Sequence, residues 1–176
     1  EQAVRDGSVD LGIGVLSNLE DRRSFGLHTL VRSRRRVWVN AGHALANQPS
    51  VSLEEIARYP YIVLQIDDAE AAAMRHWPDG GKGLKIAMRT ASIEALRGLV
   101  AYGFGVSILA DLVYRPWSLE GKKIIAVAIE DALAPMEVGL LWAADREPRG
   151  LADTFRQFLI QACDHLQLRE PAQSRS

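Results

Sequence analysis

Few residues in this chain are spaced for covalent chemistry. The four histidines, His28, His43, His76 and His165, are scattered, and none stands four residues from another as a helical metal pair requires. No Gly-x-Ser-x-Gly elbow is present to raise a serine nucleophile. Cys163 is the single cysteine, so an internal disulfide and a multi-cysteine zinc site are both excluded. Lacking a C-x-x-C partner and lying beside the apolar stripe of a predicted helix, it reads as a buried structural thiol. The carboxylate pairs Glu54-Glu55 and Asp67-Asp68 fall at predicted helix starts, where acids meet the positive end of the dipole. Gly98, Gly103 and Gly105 follow a helix and precede a strand, the reverse of the order a dinucleotide fingerprint needs. The turn Gly80-Gly81-Lys82-Gly83 lacks P-loop spacing and has no Ser or Thr after its lysine. No catalytic residue, metal site or cofactor is therefore expected.

Noncovalent recognition is left. Two predicted helices open directly after strands, near Asp67 and at Ser92, and amide groups at such ends accept a small polar ligand. The arginine cluster Arg32, Arg34, Arg35 and Arg36 reads as the solvated face of a strand. With 21 basic against 22 acidic residues, no electrostatic footprint for wrapping nucleic acid exists. The 176 residues, 48% of them apolar, suffice for one domain or two small lobes with a real core. No run approaches the roughly 18 apolar residues of a membrane span, so a soluble protein of a reducing compartment is expected.

Helix-like and strand-like segments alternate, predicting an α/β fold with a largely parallel sheet. Glu1 to Asp6 reads as the last turn of a helix ended by Gly7, so the chain is expected to be a fragment. Val9 to Val15 reads as a buried strand, and Leu27 to Val39 as one long strand or two joined ones. Ser52 and Glu55 form a capping box, with Val51 and Ile56 at the staple positions. Pro60 closes that helix, and Tyr61 to Leu64 is the next strand. A helix from Asp67 to Trp77, a turn at 79–83 and a strand from Leu84 to Met88 follow. Ser92 caps a helix to Tyr102 with Ile93, Leu96, Leu99 and Val100 as its buried stripe, and Gly103 ends it. Phe104 to Leu109, Lys123 to Ile129 and Glu137 to Trp142 read as strands. The last helix carries an apolar stripe of Leu151, Phe155, Phe158, Leu159 and Leu166, and residues 169–176 form a frayed tail.

Several strings within these elements, taken in order, resemble the effector-binding domain of LysR-type transcriptional regulators. They are Val9-Asp-Leu-Gly-Ile-Gly14, His43-Ala-Leu-Ala46, Val51-Ser-Leu-Glu-Glu55 before Tyr59-Pro60, and Leu99-Val-Ala-Tyr-Gly103-Phe-Gly105-Val-Ser-Ile-Leu109, followed by the helix carrying Phe155 and Leu159. Ala44 and Ala110 depart conservatively from the proline the family writes at both places. The resemblance implies a bilobal fold like the type 2 periplasmic binding proteins, two Rossmann-like lobes joined by two crossover strands. Residues 1–34 and 143–168 would belong to the first lobe, its opening part missing, and 35–142 to the second.

It implies further that a small-molecule effector sits between lobes, touched by Val15, Leu16, Gln65, Ile66, Asp67, Thr90 and Ser92, with Phe104 at the floor. Val15 offers neither charge nor hydrogen bond, and Asp67 disfavours an unpaired carboxylate, so a neutral or amine-bearing ligand is expected. The implied protein is a cytoplasmic, bacterial, non-enzymatic sensor that forms homodimers and commonly tetramers. It would reach DNA through a helix-turn-helix domain absent from this chain and would have no membrane partner. A periplasmic solute-binding protein of the same fold is the alternative, distinguished by a signal peptide upstream. An enzyme on this fold would need an acid-base set that the expected site residues do not supply.

Overall fold

The computed structural model describes residues 1–66 and 69–167. Asp67, Asp68, the side chain of Leu166 and the expected tail at 169–176 lie outside the described residues. The elements in chain order are α1 (Gln2–Arg5), β1 (Gly12–Val15), β2 (Phe25–Ser33), β3 (Arg35–Asn40), β4 (Ser50–Val51), α2 (Leu53–Ala57), β5 (Tyr61–Leu64), α3 (Ala69–Met74), β6 (Ile86–Thr90), α4 (Ile93–Ala101), β7 (Ser107–Ala110), β8 (Ile124–Ile129), β9 (Met136–Ala143) and α5 (Leu151–Gln167). They form two compact units, one of residues 1–32 with the chain from Met136 onward, the other Ser33–Pro135.

The second unit is built on β3. Its residues Val37, Trp38 and Val39 are all fully buried, because both faces of the sheet are covered. Val37 and Val39 point to a core shared with Leu53 and Ile56 of α2, Tyr61, Trp77 and Val106. Trp38 points the other way, to Leu96 and Val100 of α4 and to Ile124. The strand order is β4-β8-β3-β7, and β3 runs antiparallel to both β7 and β8 while β4 runs parallel to β8. β5 pairs in parallel with β6, and a parallel bridge from Tyr61 to Val106 links that pair to the entry of β7. Every strand of this unit but β3 therefore points the same way, as the alternating pattern predicts.

Local signals act as their chemistry demands. Ser52 Oγ accepts from the Glu55 amide while the Glu55 carboxylate accepts from the Ser52 amide, completing the capping box, and Val51 and Ile56 are both buried. α4 ends in a Schellman turn: Gly103 N–H donates to Val100 O, Phe104 N–H to Leu99 O, and Gly103 takes φ +81°. Gly105 permits the next step, since a Cβ there would stand 2.5 Å from the Pro60 carbonyl oxygen. The residues from Leu27 to Val39 divide into two joined strands, β2 and β3.

Other boundaries moved. α3 stops at Met74 rather than Trp77, because His76 and Trp77 tighten into i→i+3 bonds before Pro78. β6 is displaced to Ile86–Thr90, since its pairing with Val63 and Leu64 reaches the polar Arg89 and Thr90 that hydropathy alone ends before. β7 begins at Ser107, and Phe104 lies before it in the turn.

In the first unit β9 is central, in the order β1-β9-β2, with β1 antiparallel to β9 from Gly12↔Leu141 to Val15↔Val138. One face packs Val4, Leu16, Phe25 and Leu141 together. The other packs Leu30, Leu140 and Trp142 against Leu159, Ile160 and Cys163 of α5. Cys163 is thus half-buried rather than buried. α1 closes at Gly7, which takes φ +80°. The expected stripe of α5 is only partly used: Leu159 packs into this core, whereas Leu151 is 89% and Phe158 62% exposed. The guanidinium of Arg156, 4.9 Å from the Trp142 ring centroid, occupies the packed face in place of Phe155. Among the described residues no helix is long and apolar enough to cross a membrane.

Candidate functional site

The parallel pairing of β5 and β6 ends at Leu64↔Thr90, and the chain beyond those two residues forms a polar crest. Gln65 N–H donates to Thr90 O at 2.8 Å, which holds the two loops together. The Gln65 amide Nε2 donates to Glu70 Oε2 at 2.7 Å, and Arg89 Nε donates to Glu70 Oε1 at 3.0 Å. Thr90 Oγ1 accepts from the Ser92 amide at 3.2 Å, and Ser92 Oγ caps α4 by accepting from Ala95 N–H at 3.2 Å. Ile66 is partly exposed, and its carbonyl accepts from Ala69 N–H at 2.9 Å.

This group sits beyond the carboxyl ends of parallel strands, where α/β sheets present loops and helix amides to ligands. The Gln65 amide and the Arg89 guanidinium together hold the Glu70 carboxyl below the usual carboxylate range. Glu70 and Arg89 cancel in charge, so among the described residues the crest offers hydrogen bonding from the Gln65 carbonyl and the Thr90 and Ser92 hydroxyls without net charge. Among the described residues no group of three His, Cys, Asp or Glu is placed to hold a metal ion.

The expected site residues fare differently. Gln65, Ile66, Thr90 and Ser92 come together here, and Asp67 lies outside the described residues. Phe104 does not join them. It precedes Val106, which pairs with Tyr61 at the start of β5, whereas Gln65 follows the end of β5. Phe104 therefore stands at the opposite end of the strands, 54% exposed in its turn. In the first unit Val15 ends β1, half-buried. Leu16 is 0% exposed within the core of Val4, Phe25 and Leu141, and its carbonyl accepts from Arg22 Nη1 at 2.8 Å.

Sequence reading missed Glu70 and Arg89 as members of the crest. Glu70 falls within the helix expected from Asp67, and Arg89 lies just past the strand expected to end at Met88. The link between them depends on the register of β5 against β6, which no local pattern announces.

Residues 1–164 match the family described as LysR substrate binding domain. An uncharacterized HTH-type transcriptional regulator of Bacillus subtilis, YwbI, is 25% identical over 147 residues, 83% of this chain and 48% of that protein. The chain spans about half the length of several relatives it matches. Among solved structures, HinK, a LysR family transcriptional regulator from Pseudomonas aeruginosa, superposes with a TM-score of 0.80 at 23% identity, over 92% of this chain and 56% of that one. The effector binding domain of BenM with its effector benzoate gives a TM-score of 0.73 at 18% identity, over 99% and 78% of the two chains.

Proposed function

This chain belongs to the LysR substrate-binding domain family, and from that premise we propose that it is the effector-sensing and oligomerising part of a bacterial transcriptional regulator. The observation that carries the reading is the crest of Gln65, Thr90 and Ser92, polar groups gathered beyond parallel strand ends in a chain whose relatives carry regulator names. Those names favour it over a solute-binding protein of the same fold. The likeness to a benzoate-bound effector domain supports a small organic molecule as the signal.

In this reading the two compact units are the two lobes, with the crossings near Ser33 and Met136 rather than at the expected 34 and 143, since all of β9 pairs within the first unit. Val15, Gln65, Ile66, Asp67, Thr90 and Ser92 contact the effector, while Leu16 serves the core. The charge-balanced Glu70–Arg89 pair and the acid at Asp67 suit a neutral or amine-bearing molecule better than a bare carboxylate. The chain senses rather than catalyses. DNA is reached through a helix-turn-helix segment outside these 176 residues, and the regulator works in the cytoplasm as a homodimer or tetramer. Effector binding shifts the population between two arrangements, by as much as its affinity for them differs.

A thermal-shift panel of neutral, amine-bearing and carboxylate compounds tests this. A stabilising compound is expected among the first two classes. Its effect should vanish in Gln65→Ala and Thr90→Val, whose unliganded melts stay within about 1 kcal/mol of the parent because Gln65 is exposed and Thr90, half-buried, gives up one hydrogen bond at the crest. Stabilisation by carboxylates alone, unchanged in Asp67→Asn, would overturn the ligand class. Stabilisation undiminished in Gln65→Ala and Thr90→Val would overturn the site.

A further inference from the structure

The second unit holds a cavity of about 440 Å³ that shares no residue with the crest. Its volume is in the range of small-molecule sites, roughly 300–1,000 Å³. The apolar part of its lining comes from Leu53 and Ala57 of α2, Leu84 before β6, and Trp77 after α3. Trp77 is 6% exposed and stacks edge-on against Tyr61, with ring centroids 5.4 Å apart, which fixes that wall. The indole Nε1 is buried without a hydrogen bond of ordinary geometry; the Tyr61 hydroxyl is its polar neighbour.

The polar part of the lining is one-sided. Glu54, Asp79 and Asp131 contribute carboxylates, and no Lys, Arg or His is among the lining residues. Glu54 is answered by Arg58 at 2.8 Å, with both side chains largely in solvent. Asp131 uses Oδ2 to accept the Leu53 amide at 2.7 Å, which pins its carboxylate to the start of α2. Asp79 makes no hydrogen bond or ion pair among the described residues. It is also the only non-glycine among them with positive φ, 53°, a conformation that costs about 1 kcal/mol per residue.

We propose that this cavity is a second ligand site that takes an organic monocation, its apolar body against Trp77 and Leu84 and its ammonium group between the carboxylates of Asp79 and Asp131. An anion is excluded by repulsion from carboxylates that no lining cation offsets, and a neutral molecule of the same shape forgoes the charge-assisted hydrogen bonds. Binding would join α2, the 78–83 turn and the segment after β8 through one small molecule.

The test uses residues 1–176 with 2-phenylethylamine as probe and 2-phenylethanol and phenylacetate as matched controls. The readout is the Trp77 indole N–H in ¹H–¹⁵N spectra, assigned with Trp77→Phe. A saturable shift of that resonance with the amine is expected, about tenfold weaker with the alcohol and absent with the acid. Asp79→Asn should weaken amine binding about tenfold. Gly83→Phe should block it, because Gly83 lines the cavity and a Cβ there meets nothing within 4 Å. Equal responses to amine and alcohol, an amine response undiminished in Asp79→Asn, or no shift at Trp77 would each overturn the proposal. Gln65→Ala and Thr90→Val should leave the Trp77 response intact, so failure here is separable from failure of the effector site.

Discussion

The two units are built from the same kinds of element yet differ in how their sheets are covered. In the unit of residues 33–135 the fully buried run Val37-Trp38-Val39 sends side chains into one core on each face. In the other unit β1 is an edge strand with partly exposed side chains, and α5 turns Leu151, Phe155 and Phe158 to solvent. Where both faces of a strand are buried, hydrophobicity and burial coincide, and the role of each side chain is legible. Where an element is covered on one side, the most apolar stripe and the packed stripe can differ.

Core truncation should separate the units most sharply. Trp38→Ala removes an indole held edge-on by Tyr114 and overlaid by the Arg97 guanidinium at 5.1 Å, and should cost about 3–5 kcal/mol in urea unfolding. Leu16→Ala should cost about 2–5 kcal/mol, since Leu16 is as buried as Trp38. A loss below about 1 kcal/mol would return Leu16 to the candidate ligand contacts.

Acid should reach the second unit first. Burial, aided by Arg35 and Arg75, lowers the His76 pKa from 6.5 to about 4, and its Nε2 is buried without a partner among the described residues. The unfolded chain binds this proton below pH 6.5 and the folded one only near pH 4. Stability from His76 is therefore complete above pH 6.5 and is lost as pH falls toward 4. Because the side chain is only half-buried, solvent screening reduces the loss to about 1–2 kcal/mol. Burial lowers His43 in the same direction. The lowered carboxyls of Glu55 and Glu70 add their losses at still lower pH. Thermal midpoints measured from pH 7 to 4 should fall, and His76→Gln should flatten the slope; an unchanged slope would show His76 charged in the folded state.

The smallest effect is expected on α5, with Leu159 on its packed face and Phe158 on its exposed one. Phe158→Ser should change stability by no more than about 0.5 kcal/mol, whereas Leu159→Ala should cost about 1–2 kcal/mol. Equal costs, read by urea unfolding, would mean that α5 buries the stripe hydropathy picks out.

Much of the fold was legible because its signals are local. Ser52 and Glu55 are three residues apart, and each satisfies the other's backbone amide within one helical turn. The ordered strings from Val9 to Leu109 pointed to the family that residues 1–164 match. Four members of the crest, Gln65, Ile66, Thr90 and Ser92, were legible through the family resemblance, and Ser92 also as a helix start, whereas Glu70 and Arg89 were not.

The sequence by itself thus determined most element types and their order, the caps of α2 and α4 and the family, since each is written in neighbouring residues or in a collinear string, but not β4, which exists only by pairing with β8. Tertiary structure alone decided that Leu16 belongs to a core, that Glu70 ties Gln65 to Arg89, and that Phe104 stands at the far end of β5 from Gln65. It also put Arg156 rather than Phe155 against Trp142. Each of these follows from strand register or helix rotation, which bring together side chains distant along the chain and are set by how whole elements pack.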